Sequence, residues 1–207
     1  MGIADIEKDL KFIRQTMESS SRYTNVPASG YLAAGFLGLI GVWGTYLLLG
    51  DHKILNITLI TPKDIQRLML LWLLVFVSAL SVVMFCAWHK ARKHGHSAWN
   101  SLAARMFLSQ TPVIFVAGVL SVALTREGYL DLIPGVWLGI YGTILYSFSY
   151  FTGVEHKIEG AAFIALGTLV LFVQGKIGLF LMGLGFGGIH LVAGCWRLFL
   201  ERQCYRK

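Results

Sequence analysis

Long apolar stretches recur along nearly the whole chain, and they restrict its fold more than any other feature. A helix that crosses a lipid bilayer needs roughly 20 predominantly apolar residues. Only 14% of the 207 residues are charged, against about 25% in soluble domains, and the mean hydropathy is +0.63. We therefore predict an all-α polytopic membrane bundle of six transmembrane helices. The six apolar windows lie at about 29–49, 66–89, 106–125, 131–152, 159–175 and 177–199.

The distribution of positive charge predicts which way the bundle faces. The linker after the second window, HKARKHGHSAWNSLAAR, contains basic residues and no acidic one, and the C-terminus is also basic. Basic segments stay in the cytoplasm by the positive-inside rule, so an even number of spans places both termini there. Lys53 and Lys63 fall on the opposite side, against the rule. The net charge of +7 then predicts contact with anionic membrane lipid at the cytoplasmic face, and not with nucleic acid.

Residues 1–25 are too polar to enter the membrane and lack the apolar core of a cleavable signal peptide. They carry one apolar stripe at helical spacing, which predicts an amphipathic cytoplasmic helix. Such a helix either lies under the bundle at the lipid interface or docks a second copy of the chain or another membrane protein. The predicted division is 1–25 for this helix, 26–199 for the bundle and 200–207 for a basic tail. The stripe consists of Ile3, Ile6, Leu10, Ile13 and Met17.

The second window has a recognisable helix start. Thr61 is a capping residue, Pro62 suits the first helical position, and Asp64 favours the positive end of the helix. We therefore expect this helix to begin at residue 62.

The last window carries a histidine, in the stretch GFGGIHLVAG. His190 shares a helix face with Gly183, Gly187 and Gly194, and small residues allow another helix to approach closely. We therefore expect the imidazole to point at a partner helix and not at lipid. One interpretation is a structural histidine that links helices by hydrogen bonds. The other is a ligand-binding or gating role, since ionisable side chains within membranes are often functional. Polar groups expected at similar depth on the fourth window are Thr143 and Tyr146.

Groupings typical of catalysis are missing from the apolar windows. They contain no paired carboxylates and no HExxH or GxSxG motif, and Glu159 is expected at the cytoplasmic edge of the fifth window. His94 and His96 have no nearby cysteine or carboxylate to complete a site of four ligands. His156 falls at a span end, too shallow to share a haem with His190. We predict a protein that is not an enzyme and binds no metal or other cofactor, and whose three cysteines form no disulfide.

Three segments resemble those of an uncharacterised family of bacterial six-span membrane proteins. They are IRQTMESSSRYTNVPASG (13–30), IPGVWLGIYG (133–142) and GFGGIHLVAG (185–194). The resemblance extends over nearly the whole chain, although the tail CWRLFLERQCYRK is longer here. That family has no assigned activity, substrate or cofactor. The resemblance implies a bacterial inner-membrane protein with a shared structural or binding centre at Trp137, Tyr141, Gly187, Gly188 and His190.

Two functions follow as expectations. The first is a non-enzymatic accessory, signalling or assembly component that acts through helix–helix contacts, as a homo-oligomer or within a membrane complex. The alternative is a small-molecule binder or transporter with an intramembrane site between the fourth and sixth spans. The residues expected at that site are His190, Tyr141, Tyr146, Thr143 and Trp137.

Overall fold

The computed structural model describes residues 27–93, 101–173 and 176–204, with Leu10 alone before them. No strand occurs in these ranges, which confirms the prediction of an all-helical chain. Short 3-10 turns, Ile57–Leu59 and Leu130–Leu132, precede the second and fourth helices. The long elements are α1 (Ala28–Leu55), α2 (Pro62–Lys93), α3 (Ser101–Arg126), α4 (Ile133–Phe148), α5 (Val154–Phe172), α6 (Lys176–Met182), a π-helical segment (Gly183–Ile189) and α7 (His190–Cys204).

Five of these helical stretches are long and apolar enough to cross a membrane, so the chain is a membrane protein. They are α1, α2, most of α3, α4 with its preceding turn, and the continuous stretch from α6 into α7. The predicted fifth span differs because α5 begins earlier than expected, at Val154, and carries Glu155, Lys157 and Glu159 in its first two turns. Its composition alone therefore does not mark α5 as a span.

Ion pairs mark the two ends of the bundle. At the first, Thr61 and Asp64 cap the start of α2 reciprocally: the Thr61 backbone N–H donates to Asp64 Oδ2 over 2.9 Å, and the Asp64 N–H donates to Thr61 Oγ1 over 3.3 Å. The predicted helix start is confirmed. Asp64 also pairs with Lys53 at 2.6 Å. At the other end, Lys90 pairs with Glu201 at 2.7 Å and joins α2 to α7. We call these the Lys53 end and the Lys90 end.

Glycines bring α4 and α5 into backbone contact. A Cβ atom built on Gly142 would lie 2.7 Å from the carbonyl oxygen of Gly160, and one on Gly135 would lie 3.0 Å from that of Gly167. Small residues at such a crossing let two helices approach until their main chains touch. Since the lower-numbered glycine of α4 meets the higher-numbered glycine of α5, the helices run antiparallel along most of their lengths.

The last helical stretch packs on α1 in the same manner. A Cβ atom on Gly38 would lie 2.8 Å from the backbone carbonyl of Phe186, in the π-helical segment. Three glycines predicted as packing positions lie against α1: Gly187 against the Leu39 side chain, Gly194 against Leu32, and Gly183 against Val42. The helix that approaches the glycine face is therefore α1.

The predicted N-terminal helix falls almost wholly outside the described residues. Leu10 is helical and 61% exposed. At the other terminus α7 continues to Cys204, so residues 200–204 of the predicted basic tail are helical. The remaining stripe residues Ile3, Ile6, Ile13 and Met17, and residues 205–207, lie outside the described ranges.

Candidate intramembrane binding site

His190 is the first residue of α7, directly after the π-helical segment, and only 5% of it is exposed. Its Nε2 atom lies 2.7 Å from the hydroxyl oxygen of Tyr141 on α4. Four aromatic rings surround the imidazole, at centroid distances of 5.4 Å for Tyr141 and Phe163, 5.6 Å for Tyr31 and 6.4 Å for Phe186. The histidine thus faces into the bundle, and α1, α4 and α5 each contribute a ring to its surroundings.

The other ring nitrogen of His190 has no hydrogen-bond partner among the described residues. The backbone of Gly185 and Phe186, in the π-helical segment, lies next to the imidazole. A neutral imidazole has one N–H donor and one acceptor nitrogen. If the Tyr141 hydroxyl donates to Nε2, the hydroxyl and the acceptor nitrogen are both satisfied. We adopt this tautomer because the reverse one leaves two groups unsatisfied, and it makes Nδ1 an unused donor.

A buried ion pair lies next to the histidine. Arg197 Nη1 is 2.6 Å from Glu159 Oε1, with side-chain exposures of 12% and 10%. Nη1 therefore faces a carboxylate oxygen, and Nη2 has no hydrogen-bond acceptor among the described residues. The guanidinium carbon lies 3.9 Å from the centroid of the Tyr31 ring, which is a cation–π contact. The Tyr31 hydroxyl donates to Glu159 Oε2 over 3.2 Å.

His156 completes this arrangement from α5. It lies one turn before Glu159 on the same helix face and is 8% exposed. Its ring meets the Tyr31 ring edge-on at 6.0 Å, and its Nδ1 atom has no described partner. The Tyr31 ring therefore stands between both imidazoles and the guanidinium. We call the whole group the Tyr31 cluster: Tyr31, Tyr141, His156, Glu159, His190 and Arg197.

The cluster extends from the middle of the bundle towards one end only. Arg197 is seven residues beyond His190, about 10 Å along the helix axis at 1.5 Å per residue, and Glu201 at the Lys90 end follows one turn later. Towards the Lys53 end, the described core next to the cluster is apolar. It consists of Leu138, Val170, Leu181 and Met182, below Phe163.

Only one of the four residues predicted on α4 reaches His190, and that residue is Tyr141. Trp137 instead donates its Nε1–H to Ser121 Oγ on α3 over 2.9 Å. Thr143 is exposed and its hydroxyl donates to the Gly139 carbonyl. The Tyr146 ring lies 5.6 Å from the Lys157 ammonium, near the Lys90 end. The reason is the helical repeat: each residue turns the side chain by about 100°, so equal depth does not mean a shared face.

Four members of the cluster were not predicted as site residues. Glu159, which was expected at the cytoplasmic edge of the fifth window, is 9% exposed and is paired with Arg197 inside the bundle. Two signals were present in the sequence. His156 and Glu159 are three residues apart and so share a face of α5, and Arg197 is two turns from His190 on the same face of the last helix. For Tyr31 the sequence holds no comparable signal.

The chemistry of the cluster is that of a donor-rich, electrically balanced site. The charges of Arg197 and Glu159 cancel, and the unused polar atoms are Nη2 of Arg197 and the Nδ1 atoms of the two histidines. A buried donor without an acceptor costs free energy, so a bound acceptor would be stabilised here. No group of three metal-ligating side chains occurs among the described residues, which leave out His94 and His96.

Comparison of the chain with protein-family models, with curated proteins and with solved structures gave no match.

Proposed function

We propose that this chain is a non-enzymatic, six-span protein of the bacterial inner membrane that binds a small molecule at the Tyr31 cluster. The observation that carries the proposal is a set of buried polar atoms without hydrogen-bond partners among the described residues: Nδ1 of His156, Nδ1 of His190 and Nη2 of Arg197. A purely structural polar network is normally satisfied throughout. This one is satisfied only in part, as is typical of a site that awaits a ligand.

The proposed six spans and cytoplasmic termini have support from packing and charge. α5 lies antiparallel along α4, with Gly160 against the Tyr146 backbone and Leu171 against Gly135, so it covers most of the depth of a helix that meets the criteria of a span. On the outer side, Lys53 is paired with Asp64, and Lys176 is paired with Asp51. Of the two basic residues that stood against the positive-inside rule, Lys53 and Lys63, the first therefore has a counter-charge.

The position of the Tyr31 cluster favours a binding protein over a transporter, because a ligand would reach it from the cytoplasmic side. In the proposed orientation the Lys90 end faces the cytoplasm, and the cluster leads from there to His190 in mid-membrane. The described core beyond it is formed by Leu138, Val170 and Leu181. Ionisable side chains usually mark a substrate pathway through a membrane protein. In the described core they stop halfway, and the Thr45–Trp72 hydrogen bond further towards the Lys53 end joins uncharged groups.

Analysis of small molecules released from purified protein tests the proposal. The protein is extracted in mild detergent, and its bound compounds are identified by mass spectrometry in wild type, Arg197→Met and Tyr146→Phe. We expect a compound at near-stoichiometric amounts in wild type and in Tyr146→Phe, and a large loss in Arg197→Met that remains monodisperse. Equal amounts in all three proteins would refute a site at the cluster.

The accessory function predicted from the N-terminal stripe is a second candidate. Leu10, the one stripe residue that the structure describes, is 61% exposed on a helix, as expected for a residue that docks on a partner. Deletion of residues 1–20 should then dissociate oligomers or lose co-purified proteins while the bundle stays folded. Unchanged complexes would exclude this role.

A further inference from the structure

Lys157 is an exposed cation on α5, at the Lys90 end of the seam between α4 and α5. It comes two residues before Glu159, about 3 Å nearer to that end at 1.5 Å per residue. None of the ion pairs among the described residues includes it, and Glu155 is turned away from it by about 200° at 100° per residue. The Lys157 ammonium instead lies 5.6 Å from the centroid of the Tyr146 ring on α4. This positive charge is therefore held over the seam without a counter-charge.

Two tyrosines stand next to this charge. Tyr146 and Tyr150 are one helical turn apart, and their rings meet edge-on with centroids 6.3 Å apart. Tyr150 is 78% exposed, so its hydroxyl can reach a group outside the bundle. Tyrosine is common where a membrane meets water, at the level of the lipid headgroups. An ammonium and a phenol hydroxyl at that level are both donors, and lysine is a common partner of phosphate groups.

The helix faces that carry Tyr146 and Lys157 continue along the seam as a shallow groove. At 3.6 residues per turn, residues three, four, seven and eleven positions apart lie on the same face. Four small residues meet this condition and form what we call the α4–α5 groove. They are Gly139 and Thr143 on α4, and Ala161 and Thr168 on α5.

The α4–α5 groove is open and apolar. A Cβ atom on Gly139 would meet nothing within 4 Å, and the other three residues are exposed. The hydroxyls of Thr143 and Thr168 donate to carbonyls of their own helices, so they present no free donor. From Lys157 to Thr168 the groove is about 16 Å long at 1.5 Å per residue. This is about half of the roughly 30 Å hydrocarbon core of a bilayer, which is the depth of one leaflet.

We propose that the seam binds an anionic phospholipid, with its phosphodiester between the Lys157 ammonium and the Tyr150 hydroxyl and one acyl chain along the α4–α5 groove. The phosphate supplies the negative charge that Lys157 lacks, and a soluble phosphate would leave the groove uncovered. A second copy of the chain packed symmetrically on this seam would bring two Lys157 ammonium groups together at the same depth, and like charges repel. The site lies on the outer surface of the bundle, so it is independent of the Tyr31 cluster.

Native mass spectrometry of the full-length protein in mild detergent tests this inference. Phosphatidylglycerol is titrated into wild type, Lys157→Gln, Lys157→Arg and the control Lys93→Gln. Lys93 is exposed at the same end of the bundle and makes no cation–π contact among the described residues. Lys157→Gln should weaken binding about tenfold, as expected for one charge-assisted hydrogen bond, whereas Lys157→Arg and Lys93→Gln should stay within about twofold of wild type. Equal losses in the two glutamine variants would show general attraction to a basic surface and overturn the site.

Further arms test the acyl chain and the headgroup. Ala161→Phe, or Ala161→Leu if the first is not monodisperse, fills the groove and should weaken phosphatidylglycerol binding about fivefold through lost apolar contact. Glycerol 3-phosphate, which has no acyl chains, and the zwitterionic phosphatidylethanolamine should each bind wild type at least about tenfold more weakly than phosphatidylglycerol. Equal binding of glycerol 3-phosphate would assign the site to a soluble phosphate, and equal binding of phosphatidylethanolamine would exclude recognition of an anion. A wild-type dimer that Ala161→Phe converts to a monomer would assign the groove to a second copy of the chain. Each of these three results would overturn the inference.

Discussion

The hydroxyl oxygen of Tyr141 and the Nε2 atom of His190 lie 2.7 Å apart and join α4 to α7 across a sequence separation of 49 residues. The contact lies beside Phe163, which is fully buried. His190 is itself only 5% exposed, so solvent has little access to the contact. Stability should therefore respond to the loss of either group.

Tyr141→Phe removes this hydrogen bond and leaves the Nε2 atom of His190 without its donor. We expect the free energy of unfolding to fall by about 1 kcal/mol, the typical size of an interhelical hydrogen bond in a membrane protein. Unfolding in mixed micelles of increasing SDS fraction measures the change. Tyr146→Phe, at the Lys90 end, is the matched control and should change stability by less than half as much. Equal effects of the two substitutions would contradict the assignment.

Glu159→Gln should destabilise the protein more than Tyr141→Phe does. It leaves the buried Arg197 guanidinium without its counter-charge, and removal of one partner from a buried ion pair costs about 3 kcal/mol. The double variant Glu159→Gln with Arg197→Met should recover at least half of this loss, because no charge remains. Glu155→Gln on the same helix is exposed and serves as the control. A double variant as unstable as the sum of its parts would show that the pair is not coupled.

Gly38→Ala tests the contact between α1 and the π-helical segment. The new methyl group would meet the backbone carbonyl of Phe186 at 2.8 Å, and a main chain cannot move aside as a side chain can. We expect a loss of about 1–3 kcal/mol from overpacking, measured in the same unfolding assay. Gly139→Ala places its methyl group where nothing lies within 4 Å, so it should be neutral or stabilising. A larger loss of stability in Gly139→Ala than in Gly38→Ala would mean that α1 does not pack on the π-helical segment.

Cysteine labelling tests whether α5 crosses the membrane. After replacement of the native cysteines by serine, single cysteines are introduced at Tyr150, Phe172 and Glu127. Tyr150 and Phe172 lie near the two ends of α5 and are 78% and 83% exposed. In intact cells an impermeant maleimide should label Phe172→Cys and Glu127→Cys, and Tyr150→Cys only after permeabilisation. Labelling of Tyr150→Cys and Phe172→Cys from the same side would exclude six spans.

The features predicted well from the sequence depend on neighbours along the chain. The start of α2 at Pro62 follows from Thr61 and Asp64, because capping involves residues three apart. The glycine face of the last helix follows from the helical repeat. By contrast, Trp137 and Thr143 were expected near His190 because of a shared motif or a similar depth, and their side chains turn elsewhere.

The sequence by itself determined that this chain is helical, that it belongs in a membrane, and that His190 lies on a glycine-rich helix face. Its apolar runs and 3.6-residue periodicity are properties of single segments, so they can be recognised without the tertiary structure. Only the tertiary structure decided that α1 covers this face and that Tyr31 meets Glu159, 128 residues away. Such contacts depend on the angles at which the helices cross and on the rotation of each helix about its own axis. That geometry results from the packing of all of them together, so no single segment encodes it.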